Sequence, residues 1–428
     1  MKIQHRKRVI ALATVAGTGA LLLSAGPAFG LSASDRAQGA TTRAFTHSAT
    51  TRPKPGLYVT GEASVSATAK PSAYVVDGSN REHLVTLTAN GFYPGKDTVV
   101  YRTRHLGAKN WTVNSAPTLV KSAGSPRVEE SVSPSGAIEV VVYACDGVYA
   151  ASAPSSAVRL PEFTTVASEN NCASATTAPS PSLRLSMVTY NPHDGAYELG
   201  VLVPDQGTSG TWDLFEGNPG GNFVDEGSIP GTDSFVPTQL VTTSVTYPDY
   251  ATLVGYGVDS SGDQGVFLTK LTWPDVTKPP AWSDPKEITT LGEAHADFTI
   301  ESMTSYNGTT DIALYAPAGS FPGQGHTLFV DEGDTSGQWS GAVALSHTTL
   351  HDKNLILARR GSGTLHATFQ RSISSSQAAK TKRSGIMKEA LLGGNWTTPT
   401  FMTHWFKDTP LQASLDTSDR LHVEYLRK

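Results

Sequence analysis

Cysteine is almost absent from this chain: two residues in 428, Cys145 and Cys172. That excludes a scaffold held by many bridges and any zinc site built on three or four thiolates. Arginine is missing from Leu185 to Ala358, so this stretch offers no planar guanidinium cluster for a carboxylate ligand, which speaks against sialidase chemistry. No H-E-x-x-H, G-x-S-x-G or phosphate-cradling loop occurs, and metalloprotease, α/β-hydrolase and nucleotide readings fall away. Charge is sparse and mildly negative, 33 Lys and Arg against 38 Asp and Glu, with no basic stripe. This argues against nucleic acid and anionic membrane as partners. The run Asp259-Ser260-Ser261-Gly262-Asp263 opens like a calcium loop, but Gln264 and Lys270 stand where Gly and a bidentate Glu are needed. It reads as a hairpin turn, and neither a metal nor a cofactor is expected.

Long apolar runs are also missing, except one. Val9 to Leu23 follows Lys2, His5, Arg6, Lys7 and Arg8 and precedes Gly26-Pro27 and Ala28-Phe29-Gly30. Basic n-region, apolar core and small residues at the cleavage positions make residues 1–30 a secretory signal, cut after Gly30. The rival is a membrane anchor; the run is at the short end for a span of about 20 residues and stops at a processing site. With no further span and no lipid-accepting Cys, the expected product is secreted, extracellular and not inserted in a membrane. Residues 31–55 are rich in Ser, Thr, Ala and Arg and read as a flexible leader. In an oxidising compartment Cys145 and Cys172 are natural disulfide partners; two free thiols or a metal site are the alternatives.

What is present from Tyr58 onward is a succession of short Val, Thr and Tyr runs between clusters of Gly, Pro, Asn, Asp and Ser, an all-β pattern. One helix is entertained, Ser376 to Leu391. Residues 56–162 carry H-L-V-T-L-T-A-N-G-F-Y-P-G from His83, T-V-V-Y from Thr98, and E-V-V-V-Y-A-C ending at Cys145. This stretch resembles bacterial immunoglobulin-like modules, which implies a β-sandwich. Residues 163–182 read as a linker.

Residues 183–428 repeat. L-G-V ends at Val201, V-G-Y at Tyr256, A-L-Y at Tyr315, A-T-F at Phe369 and V-E-Y at Tyr425, while Trp282, Trp339 and Trp396 keep the same rhythm. Short strands at a period above 50 residues predict a β-propeller of about five blades. Phe163 to Leu185 is the candidate source of the outer strands that the last blade lacks. A competing count takes Val142 and Asn110-Trp111-Thr112 as further markers and gives a single seven-bladed propeller from about residue 56. S-G-T-L-H-A-T-F from Ser362 and S-D-R-L-H-V-E-Y from Ser418 resemble the inner strands of sialidase-type, Asp-box-related propellers, although Asp334 to Trp339 keeps only part of an Asp box.

The approaches to three inner strands each carry an acid, Asp297, Asp352 and Asp408, accompanied by His295, His347, His351 and His404. Carboxylates converging on a propeller funnel are the arrangement that glycosidases use; the same residues also suit turn capping. The recurring tryptophans fit packing between blades, whereas Trp273 and Trp405 fall off that register and are candidates for sugar stacking together with His295, His351 and His404. The first reading is therefore an extracellular protein that binds a glycan or a protein surface. A glycoside hydrolase using Asp297, Asp352 and Asp408 is the second, and an inhibitor or adhesion protein the third.

Overall fold

Residues that favour pleated backbone alternate with turn formers along the chain, and this decides the secondary structure. In the computed structural model the described residues are 72–424 without 124–125, 169–183, 192–195, 205–210, 231–234, 243–248, 259–263, 273–280, 289–298, 307–308, 317–326, 334–342, 346–350, 360–363, 373–384, 393–394 and 404–411. Among them every regular element is a strand.

The first sheet holds β1 (Ser72–Val76), β2 (Arg81–Ala89), β3 (Lys96–His105) and β4 (Thr112–Lys121); the second holds β5 (Arg127–Val132), β6 (Ala137–Ala144), β7 (Gly147–Pro154) and β8 (Thr164–Ser168). The third is β9 (Ser186–Asn191), β10 (Ala196–Pro204), β11 (Trp212–Gly217) and β12 (Phe223–Ser228). The fourth is β13 (Phe235–Thr242), β14 (Asp249–Val258) and β15 (Gln264–Thr272), edged by β16 (Ala281–Trp282) and β17 (Lys286–Glu287). The fifth is β18 (Thr299–Tyr306), β19 (Thr309–Ala316), β20 (Thr327–Gly333) and β21 (Val343–Ala344). The sixth is β22 (His351–Arg359), β23 (Leu365–Ser372) and β24 (Gly385–Leu392), edged by β25 (Asn395–Trp396) and β26 (Thr400–Thr403); the hairpin of β27 (Gln412–Leu415) and β28 (Leu421–Glu424) follows. Within each sheet the successive strands pair antiparallel, as propeller blades do. The five sheets from Ser186 to Glu424 are the five blades expected for residues 183–428.

The second strand of each sheet is buried on both faces, which explains why these segments read as continuous apolar runs. In β6, Ile138, Val140 and Val142 join the core shared with the first sheet, while Val141 turns to the core shared with the third. Likewise Val201 and Leu202 face opposite cores, as do Leu253 and Val254. Ala313 and Ala367 meet between the fifth and sixth sheets, and Val423 packs between the sixth and the last hairpin. The marker triplets of the repeat, which include Val201, Val254, Ala313, Ala367 and Val423, and the further marker Val142 thus lie in the interior of the second strands.

First strands neighbour one another in turn: β1 beside β5, then β9, β13, β18, β22 and β27, with β27 beside β1 again. Polar side chains tie several of these steps. Glu129 accepts the backbone N–H groups of Leu185 and Ser186, Ser302 Oγ that of Leu357, and Ser414 Oγ that of Val76. Thr417 Oγ1 donates to Asn80 Oδ1 at 2.9 Å, a contact across 337 positions of sequence.

One turn recurs where a first strand passes to a second. In Asp77-Gly-Ser-Asn-Arg81, Asp77 Oδ1 accepts from the N–H of Ser79 and Arg81, both at 2.8 Å, and Asn80 adopts φ 57°. In Asp416-Thr-Ser-Asp-Arg420 the same bonds run from Ser418 and Arg420, and Asp419 has φ 54°. Ser133-Pro-Ser-Gly-Ala137 repeats the turn with Ser133 Oγ as acceptor and Gly136 at φ 86°.

These observations correct three expectations. The described part of residues 56–162 is not an immunoglobulin-like sandwich: its strands run strictly in sequence through two meanders, without the Greek-key return that such a sandwich needs. It contributes two sheets built like the other five, and the closed series of first strands matches the seven-bladed count. Residues 56–71 lie outside the described residues. Thr164–Ser168, read as linker and as a possible outer strand for the last blade, instead pairs with β7. The described part of Ser376 to Leu391 is strand β24 rather than helix, because Ile386, Met387 and Glu389 are buried against both neighbouring faces.

Candidate functional site

Because the strands of a sheet alternate in direction, the approach to each first strand and the turn from second to third strand lie at the same end. We call this the rim end.

Of the residues singled out by sequence as site candidates, Asp297, Asp408, His295, His347, His404, Trp273 and Trp405 lie outside the described residues, as does the recurring Trp339. His351 begins β22, and only its place in the strand is described. Asp352 follows it at 1% exposure. Its two oxygens accept from Nε and Nη2 of Arg371, each at 2.7 Å, in a buried bidentate pair, and the guanidinium lies 5.3 Å from the Phe369 ring. Asp352 therefore works here as an ion-pair partner to the neighbouring strand. Nearby, Glu389 is 2% exposed and neither carboxylate oxygen has a hydrogen-bond partner. Burial pushes its carboxyl up to about 8; Arg371 opposes this and Asp352 adds to it.

Trp282 and Trp396 pack against the cores beside their sheets, as expected for the recurring tryptophans. Trp111 stands just before β4, packs on Tyr74, Val76 and Leu84, and carries Arg104 over its ring at 4.3 Å. Cys145 is buried in the turn between β6 and β7, and Cys172 lies outside the described residues.

The rim end of the first two sheets holds a feature that sequence reasoning missed. Between β2 and β3 the chain runs Asn90-Gly-Phe-Tyr-Pro-Gly95, and Phe92 and Tyr93 are 91% and 60% exposed. The turn is held from several sides. Asn90 Oδ1 accepts from the N–H of Phe92 and Tyr93 at 2.8 and 3.0 Å, and its Nδ2 donates to Thr98 Oγ1 at 2.8 Å. The backbone closes with Asn90 N–H to Lys96 O, Lys96 N–H to Tyr93 O, and Ser122 N–H to Gly95 O. Gly95 sits at φ 78°, where a side chain is strained. Lys96 Nζ reaches Asp146 Oδ2 at 3.7 Å and thereby ties this turn to the β6–β7 turn of the second sheet. The Tyr149 phenol is pushed up to about 12, by burial first and then by its charged hydrogen-bond partner Asp146. Two aromatics between glycines and a proline, off the alternation of the strands, were the signal available in sequence: in a six-residue turn neither ring has a core to enter.

Chemically, the turn offers two aromatic faces to solvent beside a locally neutral Lys–Asp pair. No group of three or more His, Cys, Asp or Glu suited to a metal ion occurs among the described residues. No helix among them is long and apolar enough to cross a membrane.

No protein-family model matches the chain, and no curated protein matches its sequence. The likeness to sialidase-type repeats therefore has no family match behind it. Solved structures of similar fold include a mutant of the Aleuria aurantia lectin in complex with Fucα1-6GlcNAc, at 12% identity over 78% of this chain and 96% of that one, TM-score 0.40. Another is the β-propeller domain of the trilobed protease from Pyrococcus furiosus, at 11% identity over 83% and 94%, TM-score 0.44. A third is the Penicillium chrysogenum α-L-arabinanase complexed with arabinobiose, at 9% identity over 55% and 72%, TM-score 0.35.

Proposed function

We propose that this chain is exported and serves outside the cell as a binding propeller whose rim end recognises a glycan. One observation carries the reading: a turn fixed by side-chain and backbone bonds presents Phe92 and Tyr93 to solvent. Exposing two large rings has no benefit to folding, and setting the backbone that carries them in advance lowers the ordering cost of a bound partner. Export is supported by the signal-like residues 1–30. A Cys145–Cys172 bridge belongs to the same reading and is supported by these being the two cysteines of a chain with a signal-like start.

The test uses the exported product from culture supernatant. Its expected N-terminus is Leu31, and its expected behaviour is binding on a glycan array without release of reducing sugar from soluble polysaccharides. Sugar release would transfer the assignment to a hydrolase using Asp297, Asp352 and Asp408. Failure on every glycan would overturn the binding reading and leave the inhibitor or adhesion role.

A further inference from the structure

We propose that Phe92 and Tyr93 form a stacking platform for the pyranose rings of a neutral polysaccharide. This rests on the glycan-binding reading above and assigns it a site and a ligand class.

The geometry selects among possible occupants. A protein partner of ordinary affinity covers on the order of 800 Å² on each side. The described residues at this turn leave open only two large apolar side chains, and Val113, Val158, Val224 and Val236, the other exposed large apolar residues, belong to other segments of the chain. A small, flat ligand fits that extent better than a protein face.

An anionic polymer or an acidic bilayer calls for unpaired basic groups beside the rings. Here Lys96 faces Asp146 at 3.7 Å, and Lys121, opposite Lys96 on β4, is matched by Asp97 one residue along β3. The four groups sum to no net charge, while Lys96 Nζ and the Tyr93 hydroxyl suit the equatorial hydroxyls of a sugar. The C–H face of a pyranose is apolar, matching an aromatic ring in shape and polarity.

The placement also suits a chain ligand. The turn stands at the rim end and its backbone is set in advance, because Asn90 Oδ1 accepts from the N–H groups of both Phe92 and Tyr93. Binding through two stacked rings is weak per site and insensitive to salt.

The experiment is affinity electrophoresis of the exported protein in native gels cast with dextran, laminarin, xyloglucan or arabinan, with and without about 0.5 M NaCl, far above the screening limit. The expected result is retardation by at least one neutral polysaccharide that persists in salt. In Phe92→Ala/Tyr93→Ala the apparent affinity falls about tenfold or more, while Tyr93→Phe keeps most of it. Both rings are exposed, so the thermal midpoint of the double variant stays with that of the wild type and separates lost binding from lost fold. Equal retardation of wild type and double variant overturns this platform and leaves the glycan reading standing. No retardation by any neutral polysaccharide overturns the platform; binding to an acidic polysaccharide then leaves the glycan reading standing, and binding to no polysaccharide at all overturns both.

Discussion

Replacing Glu389 by Gln is expected to stabilise the protein at alkaline pH and leave it unchanged in acid. Glu389 sits in β24 at 2% exposure, without a hydrogen-bond partner for either oxygen, and its carboxyl is pushed from 4.5 up to about 8. A raised acid is protonated in the folded protein while already ionised in the unfolded chain. The folded state thus keeps its full stability below about pH 4.5, loses it as pH rises from there to about 8, and loses nothing more beyond. At about 1.4 kcal/mol per unit, the loss approaches 3 kcal/mol at pH 7 and 5 kcal/mol at pH 9. Relaxation around the charge makes these upper figures. Glutamine keeps the shape and carries no proton to lose. Urea unfolding of both proteins at pH 5, 7 and 9 reads the difference directly: the gap in free energy should open steadily with pH in favour of Glu389→Gln. A gap that stays constant across the three values, or a variant weaker at pH 9, would refute the reasoning.

Asp416 supplies the opposite sign. Burial alone raises its pKa, but the bonds from Arg420, His422 and Ser418 overcome this and bring it to about 2 from 3.8; its contribution of about 2 kcal/mol is present above pH 4 and vanishes between about 4 and 2, so acid unfolding of Asp416→Asn should be shallower there. Asp352→Ala strands the buried Arg371 guanidinium and should cost about 3 to 5 kcal/mol in urea unfolding. Folded Asp352→Asn that abolishes a sugar-releasing activity of the wild type would instead place Asp352 in catalysis. Val201→Ala removes a fully buried side chain between the second and third sheets and should lower stability by about 2 kcal/mol without altering glycan retardation. Asn90→Ala frees two backbone N–H groups of the aromatic turn and should weaken retardation several-fold for about 1 kcal/mol of stability.

The propeller was legible because its repeat unit is set by burial. Val201, Val254, Ala313, Ala367 and Val423 are all fully buried in the second strands of successive sheets, and a residue enclosed between two blades has few alternatives. The first two sheets were harder to read. Their second strands obey the same rule at Val142, but the G-F-Y-P-G turn and the Y-A-C strand end are local patterns that sandwiches and blades share, and strand order cannot be inferred from strand content. The site was less legible still. Asp352 stands at a rim position, yet its role depends on Arg371, nineteen residues away and beside it only once β22 and β23 pair. Phe92 and Tyr93 sit in a motif that reads in sequence as a fold signal, and only their exposure marks them as surface.

The two ends of the blades divide the work. At the turns from first to second strand, Asp77 and Asp416 cap the backbone and also meet His83 and His422, at 3.2 and 3.0 Å, all four side chains being buried. His83 continues to Tyr101 at 2.7 Å, so an apolar interior holds a closed chain of polar groups whose members cannot be exchanged singly. These turns also carry the bond between the last hairpin and the first sheet, from Thr417 to Asn80. An end that fastens the ring cannot readily vary to suit a ligand. The rim end of the first sheet has a lighter duty: the Asn90 side chain, local backbone bonds and the Lys96–Asp146 contact hold the turn, and both aromatic rings stay exposed. A ring locked at one end in this way leaves the other end to change residue by residue, and the exposed pair at Phe92 and Tyr93 is where the described chain has used that freedom.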